Sequence, residues 1–346
     1  MNNINVNYLE KLISPYNIKN ELNITYKDGL FIQESRNILN RYLNNNNISE
    51  KKLVIFVGPC SVHNYEECIE YAQFIKKSIE KYQNLFIVMR LYFEKPRTTK
   101  GWKGYLYDPT LDNSNNIKLG IYNTRKLLIE ITKMRIPIAT EFLDTIIPQY
   151  IDDLITWGCI GARTVESQLH RQLASGLSMF IGFKNRTDGN IDIAINAMIS
   201  ASEEHSFLGI DINGKASIIH TNGNNNTAVV LRGSTLEDNI NVETLEYTTN
   251  ILNKYYLNNN IIIDLSHGNT LKDGQKNYKK QIDNVNSILL LKKQFTNISG
   301  LMIESNINED NQNINNKPLK YGVSITDKCI NINDTDNIFK LLNNFK

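Results

Sequence analysis

Eight apolar runs along this chain each end at, or just short of, a residue that can do chemistry: Cys60, Arg90, Glu141, Arg163, Lys184, Arg232, His267 and Glu304. The runs are short and rich in β-branched residues, as at 53–57, 136–139 and 261–263, which is what a strand buried on both faces requires. Helix-like stretches separate most of them. Eight parallel strands alternating with helices close into a (β/α)8 barrel, and closure brings the carboxyl ends of all the strands to one rim. The pattern predicts an α/β catalytic barrel whose rim carries four cations, two carboxylates, one thiol and one imidazole.

The 346 residues accommodate a barrel of about 250 residues plus an N-terminal extension and an insertion. Residues 1–50 lack the strand and helix alternation and are expected to form an arm outside the barrel, which occupies 51–346. Helical spacing or helix-favouring composition marks 65–78, 123–132, 168–173, 192–202, 242–254, 276–293 and 335–345. Between the fifth and sixth strands lie two further apolar runs, 207–212 and 216–220, joined by Asn213-Gly214. Asn-Gly between such runs signals a β-hairpin, here an insertion over 206–220.

Composition excludes several classes of function. With 38 basic and 36 acidic residues the net charge is +2, which gives no chain-wide field for nucleic acid or an anionic membrane. No run of about 20 apolar residues occurs, and the N-terminus has no basic segment leading into an apolar core, so a cytoplasmic protein is expected. The four cysteines, at 60, 68, 159 and 329, form no CxxC pair and read as reduced thiols. Asparagine clusters at 44–47, 224–226, 258–260 and 311–316 fall between periodic segments and read as loops.

The cations at strand ends, with Lys95, Arg97 and Arg186 in the loops beyond, point to a small substrate bearing carboxylate and phosphate, since the guanidinium fork matches both. Any one of these arginines alone would read as a rim salt bridge. Cys60, His267, Glu304 and Asp327 together offer a thiolate, an imidazole and two carboxylates, a donor set for a divalent ion such as Mn, Fe, Co or Zn. They are scattered in sequence, and only the barrel makes them converge. The charged stretch 90–104 reads as a substrate-facing loop, stiffened by Pro96, with Arg97, Thr98 and Thr99 as phosphate donors. Its interleaved Tyr92, Phe93 and Trp102 would also suit single-stranded nucleic acid, but the rest of the chain supplies no basic groove.

Longer strings carry a resemblance: Gly58-Pro-Cys-Ser, Arg90-Leu-Tyr-Phe-Glu-Lys-Pro-Arg-Thr-Thr, Gly161-Ala-Arg-Thr-Val-Glu-Ser-Gln, Gly182-Phe-Lys-Asn, Leu231-Arg-Gly, Asp264-Leu-Ser-His-Gly-Asn and Tyr321-Gly-Val-Ser-Ile-Thr-Asp. In this order they resemble the type I 3-deoxy-D-arabino-heptulosonate 7-phosphate (DAHP) synthases, a family of metal-dependent (β/α)8 barrels. The resemblance implies condensation of phosphoenolpyruvate with erythrose 4-phosphate at the head of the shikimate pathway. It assigns the metal to Cys60, His267, Glu304 and Asp327, and phosphoenolpyruvate to Arg90, Lys95, Glu141, Arg163, Lys184, Arg232 and His267. Arg97 and Thr98 fall to the aldose phosphate, and Lys95 is the candidate proton donor. Two departures stand out: Arg186 replaces a usual glycine, with local strain or altered phosphate affinity expected, and Ser234 replaces another.

The resemblance further implies a homo-oligomer, dimer or tetramer, feedback-inhibited by an aromatic amino acid. Ser175-Gly-Leu-Ser-Met, Gly300-Leu-Met-Ile-Glu-Ser-Asn and Lys320-Tyr-Gly-Val-Ser look most like the tyrosine-sensitive isoenzyme, and Glu141-Phe-Leu-Asp like the phenylalanine-sensitive one. The implied effector site is Pro148, Gln149, Ser178, Phe207, Gly209 and Ile219, with Asn3 reaching in from a neighbour. Ordinary interface packing would use the same residue types. The competing readings are a related phosphoenolpyruvate-dependent sugar-acid synthase and a catalytically silent subunit that senses an aromatic amino acid.

Overall fold

Strands form where the apolar runs place them: β1 (Leu53–Gly58), β2 (Leu85–Arg90), β3 (Ile138–Glu141), β4 (Trp157–Ile160), β5 (Phe180–Lys184), β6 (His205–Ile210), β7 (Ala216–Thr221), β8 (Thr227–Leu231), β9 (Ile261–Asp264), β10 (Leu271–Lys272), β11 (Gln275–Lys276) and β12 (Ile298–Glu304). The helices are α1 (Pro15–Glu21), α2 (Tyr26–Asn44), α3 (Tyr65–Lys81), α4 (Ile117–Lys133), α5 (Pro148–Ile151), α6 (Gln168–Gly176), α7 (Asp192–Ser202), α8 (Val242–Lys254), α9 (Lys280–Gln294) and α10 (Ile332–Asn343). This computed structural model describes residues 3–44, 51–272 and 275–345. The expected boundary between arm and barrel, at 50/51, touches residues outside that set.

Eight strands close a parallel barrel in the order β1-β12-β9-β8-β5-β4-β3-β2, with Val54 of the first strand level with Gly300 of the last. Because side chains alternate along a strand, each apolar run fills two cores. Ile55, Val57, Ile87, Ile181, Val229 and Ile263 face outward to the helices, while Val54, Phe56, Val88, Phe180, Val230 and Ile262 face inward. The barrel interior is a packed core, with the Phe56 and Trp157 rings 4.3 Å apart. β6 and β7 pair antiparallel with Phe207 opposite Ile219, so the hairpin forms between barrel strands β5 and β8.

Helix α2 has no counterpart in the sequence reading. Its buried stripe, Ile32, Ser35, Leu39 and Leu43, is thin and interrupted by serine, so the apolar period is weak. Leu39 and Leu43 nevertheless join the inner barrel core, and Arg36 donates to the Ile155 and Asp152 carbonyls at 2.9 and 2.6 Å. The N-terminal segment thus supplies part of the barrel's interior packing. Asparagine also does more than fill loops: the side chains of Asn64, Asn116, Asn241 and Asn331 cap α3, α4, α8 and α10. Those caps explain why α4 and α10 begin several residues ahead of their expected starts. Helix α9 starts later, at Lys280, because Gln275 and Lys276 pair with β10.

Candidate active site

Continuing each inward row of side chains by two residues leads from core to chemistry. Val54, Phe56 and Gly58 lead to Cys60; Val88 leads to Arg90, Ala139 to Glu141, Gly182 to Lys184, Val230 to Arg232, Ile262 to Asp264 and Met302 to Glu304. The period of two places all these side chains inside the carboxyl end of the barrel. Above them is a cavity of about 290 Å³ lined by Lys95, Arg97, Glu141, Arg163, Lys184, Arg232, His267 and Asp327 among others. Tyr92 also lines it, with Arg90 4.1 Å from its ring centre and Lys95 and Lys184 each 5.8 Å away.

The floor is a network of buried charges. Asp264 Oδ2 lies 2.9 Å from both Lys184 Nζ and His267 Nδ1, and Oδ1 accepts the Ser266 hydroxyl at 2.7 Å. Burial alone would raise the Asp264 carboxyl, but His267 and Lys184 outweigh it and hold the group well below the carboxylate range. Arg90 is buried with Nη1 3.2 Å from Glu304 Oε1. Burial opposes charge at Glu304 as well, yet His267 and Arg90 bring its carboxyl down. Gln281 clamps the Glu304 peptide, accepting from its N–H at 2.9 Å and donating to its carbonyl at 3.1 Å.

Cys60, Glu304 and Asp327 bring one donor atom each within 4.8 Å of one another, and His267 Nε2 lies 3.7 Å from Glu304 Oε1. Both Glu304 carboxylate oxygens are buried without a hydrogen-bond donor. A buried carboxylate that meets Arg90 as an ion pair but accepts no hydrogen bond, set between a thiol and an imidazole, fits a divalent cation. His267 is suited to that part: its Nδ1 is engaged by Asp264 and Ser266, leaving Nε2 toward Glu304. Its φ of 55° is a left-handed angle unusual for histidine, and the Thr270 hydroxyl holds its carbonyl at 2.7 Å. Burial and Glu304 raise the Cys60 thiol. Asp327 is half exposed, and its partial desolvation is outweighed by His267, Lys276 and Lys95, which draw it down to about 2.

Lys95 reaches from its loop to donate to the Cys60 carbonyl at 2.9 Å and to Sγ at 3.2 Å. Gly161 lets the Glu141 carboxylate lie against the loop that carries Arg163, since a Cβ there would be 2.2 Å from Oε1. Thr98 is exposed and lies outside the cavity lining. Arg186 points away as well, paired with Glu166 and Asp188 at 3.1 and 3.0 Å. Its φ is not left-handed, so the strain expected from its replacing glycine does not arise, and Gly189, at +97°, takes the turn instead.

Several contributors went unread in the sequence. Asp264 and Lys276 are two, the latter 3.9 Å from Asp327. Asn185, Asn239 and Asn269 form a third feature: Asn185 accepts from the Arg232 N–H at 2.8 Å, Asn239 from the Gly233 N–H at 2.9 Å, and Asn269 donates to the Asp264 carbonyl at 2.8 Å. The strand parity that ends at Arg90 and Lys184 also ends at Asp264, and would have found it.

The implied effector residues lie on neighbouring elements. Pro148 and Gln149 are in α5, Ser178 is exposed just before β5, and Phe207, Gly209 and Ile219 share the half-buried face of the hairpin. The arm joins these elements, with Ile13 accepting from the Tyr150 hydroxyl at 2.8 Å and the Tyr16 N–H donating to the Ile212 carbonyl at 2.7 Å. Asn3 is exposed near the start of the arm. Among the described residues, no helix is long and apolar enough to cross a membrane.

Comparison with known proteins gives a consistent result. The chain is 40% identical over 344 residues to the Tyr-sensitive phospho-2-dehydro-3-deoxyheptonate aldolase of Escherichia coli K12, covering 98% of this chain and 94% of that protein. It is 39% identical over 337 residues to the Trp-sensitive enzyme of the same strain, covering 96% and 94%. The solved phospho-2-dehydro-3-deoxyheptonate aldolase of Francisella tularensis SCHU S4 superposes with a TM-score of 0.93 at 42% identity, covering 98% of this chain and 97% of that one. With residues 41–340 also matching its sequence profile, the chain belongs to the DAHP synthetase I family.

Proposed function

We infer that the barrel mouth condenses phosphoenolpyruvate with D-erythrose 4-phosphate, giving DAHP and inorganic phosphate, the first step of the shikimate pathway. The observation that carries this reading is the convergence of Lys95, Arg163, Lys184 and Arg232 on one cavity, directly above the donors Cys60, His267, Glu304 and Asp327. The cations neutralise the carboxylate and phosphate of phosphoenolpyruvate and hold its C3 toward the aldehyde carbon of the second substrate. Arg97, at the lip, receives the aldose phosphate, with Thr98 beside it. Cys60, His267, Glu304 and Asp327 would hold a divalent ion, which would supply Lewis-acid polarisation of the aldehyde oxygen.

As the C3–C1 bond forms, Lys95 delivers a proton to the aldehyde oxygen. Positive charge left at C2 is quenched by water, and the C–O bond to phosphate then breaks. Asp264 keeps Lys184 charged and His267 oriented throughout. Mn, Fe, Co or Zn suits the mixed donor set, and binding displaces the proton that burial favours on Cys60. The test is phosphate release from the two substrates, with and without EDTA. Turnover that is metal-dependent and specific for erythrose 4-phosphate supports the reading. Turnover with arabinose 5-phosphate instead selects a related sugar-acid synthase, and none with any divalent metal selects a silent sensor.

Feedback by tyrosine is the second part of the proposal. The meeting of arm, α5 and hairpin supports a small-molecule site among Pro148, Gln149, Ser178, Phe207, Gly209 and Ile219. Ile4, Tyr8 and Leu9 are 74–81% exposed, apolar surface that favours burial in a homo-oligomer, dimer or tetramer, where Asn3 meets a neighbour's site. A cytoplasmic location accords with the reduced cysteines. Inhibition by phenylalanine or tryptophan in place of tyrosine would overturn the effector assignment.

A further inference from the structure

Glu94 stands between Phe93 and Lys95 in the substrate loop, yet its carboxylate turns away from the cavity and is 3% exposed. Oε2 accepts the Leu143 N–H at 3.2 Å and Oε1 the Asp144 N–H at 3.1 Å. Those two amides belong to the turn that leaves β3 just after Glu141. That turn is itself anchored, because the Leu143 carbonyl meets His170 Nε2 at 2.7 Å and Asp144 Oδ1 accepts the Ile146 N–H at 2.9 Å. On the other side the loop folds back tightly. The Lys95 N–H donates to the Lys103 carbonyl at 2.8 Å, and Gly104, at φ +114°, leaves no room for a Cβ, which would lie 2.2 Å from the Phe93 oxygen. Burial, and then Asp144, push Glu94 up to about 8, while the Leu143 and Asp144 N–H groups pull the other way.

We propose that Glu94 is a positioning residue: its carboxylate pins the loop between β2 and α4 to the turn after β3, and so fixes Lys95 over Cys60 and Arg97 at the cavity lip. The pin acts one residue from Lys95, whose ammonium reaches the Cys60 sulfur at 3.2 Å. Losing it frees the segment that delivers the proton and receives the aldose phosphate. Of the four cations proposed for phosphoenolpyruvate only Lys95 is loosened: Lys184 ends β5, Arg163 and Arg232 follow β4 and β8, and these three keep their places.

The inference rests on the function proposed above, and the test separates the two. Wild type, Glu94→Gln and Glu94→Ala are compared with Mn²⁺ present in steady-state phosphate release with each substrate varied, in equilibrium binding of phosphoenolpyruvate alone, and in thermal melting. The amide of Glu94→Gln keeps the length but offers one acceptor to two N–H donors. It is expected to lower kcat about tenfold and raise KM for erythrose 4-phosphate about fivefold, with phosphoenolpyruvate affinity falling only about twofold because Lys95 is one of four cations on that substrate. Glu94→Ala is expected to go further in the same direction. A Gln variant with wild-type kcat and KM overturns the proposal, as does a loss that only parallels the loss of folded protein or falls equally on phosphoenolpyruvate binding. A wild type without turnover overturns the functional reading itself.

Discussion

Burying Asp264 without a counter-charge would cost several kcal/mol; Lys184 supplies that charge, while Ser266 donates a hydrogen bond to the carboxylate and His267 Nδ1 lies against it. Replacing it by asparagine removes the charge that keeps Nε2 of His267 aimed at Glu304, so metal affinity should fall about 10- to 100-fold. Metal content after dialysis against a graded chelator measures this, and retention equal to wild type would contradict the assigned role. Cys60→Ala removes a donor outright and should lose more. The side chains at strand ends were legible because a period of two carries an inward apolar row directly into the rim. Asp264 obeys the same rule, but lies within the Asp-Leu-Ser-His string, where His267 drew the assignment. The Asn185, Asn239 and Asn269 network was not legible: in a chain this rich in asparagine, one that holds the backbone at the barrel mouth looks like one that fills a loop.

Helix α2 tests packing at the level of the element. Leu39 is fully buried in the barrel interior, so Leu39→Ala should cost about 3 kcal/mol, read from denaturant midpoints. A change below about 1 kcal/mol would mean that α2 contributes little to that core. Most outer helices and the hairpin were readable because period and caps agree there, while α2 was hidden by its interrupted stripe. The loop into α3 holds a different device: His63 Nε2 is 3.3 Å from Glu67 Oε2, both nearly buried. Burial lowers His63 from 6.5 to about 4 and raises Glu67 from 4.5 to about 7, so between those values both groups are neutral. Between pH 4.5 and 6.5 the unfolded chain binds more protons at His63, making stability rise with pH, and fewer at Glu67, making it fall. Glu67→Gln removes the second slope. Its melting temperature should therefore climb more steeply than wild type across that window, and parallel curves would refute the neutral pair.

At the scale of the whole molecule the arm divides along its length into a packed part and an exposed part. Residues 26–44 pack into the barrel, whereas the stretch from Ile4 to Leu12 is largely exposed. Deleting residues 1–12 should leave turnover within about twofold of wild type while abolishing inhibition by tyrosine and lowering the oligomeric state, read together by phosphate release and light scattering. Inhibition undiminished by the deletion would remove the arm from the regulatory reading. The register of Val54 with Gly300 has a consequence during synthesis. The first barrel strand to leave the ribosome finds one of its two neighbours only when the last strand has been made. Every nascent chain that stops short therefore presents an open gutter with two unpaired edges, and edges of that kind recruit other chains. Shortening the gene from its 3′ end thus yields aggregates long before it yields a smaller working catalyst.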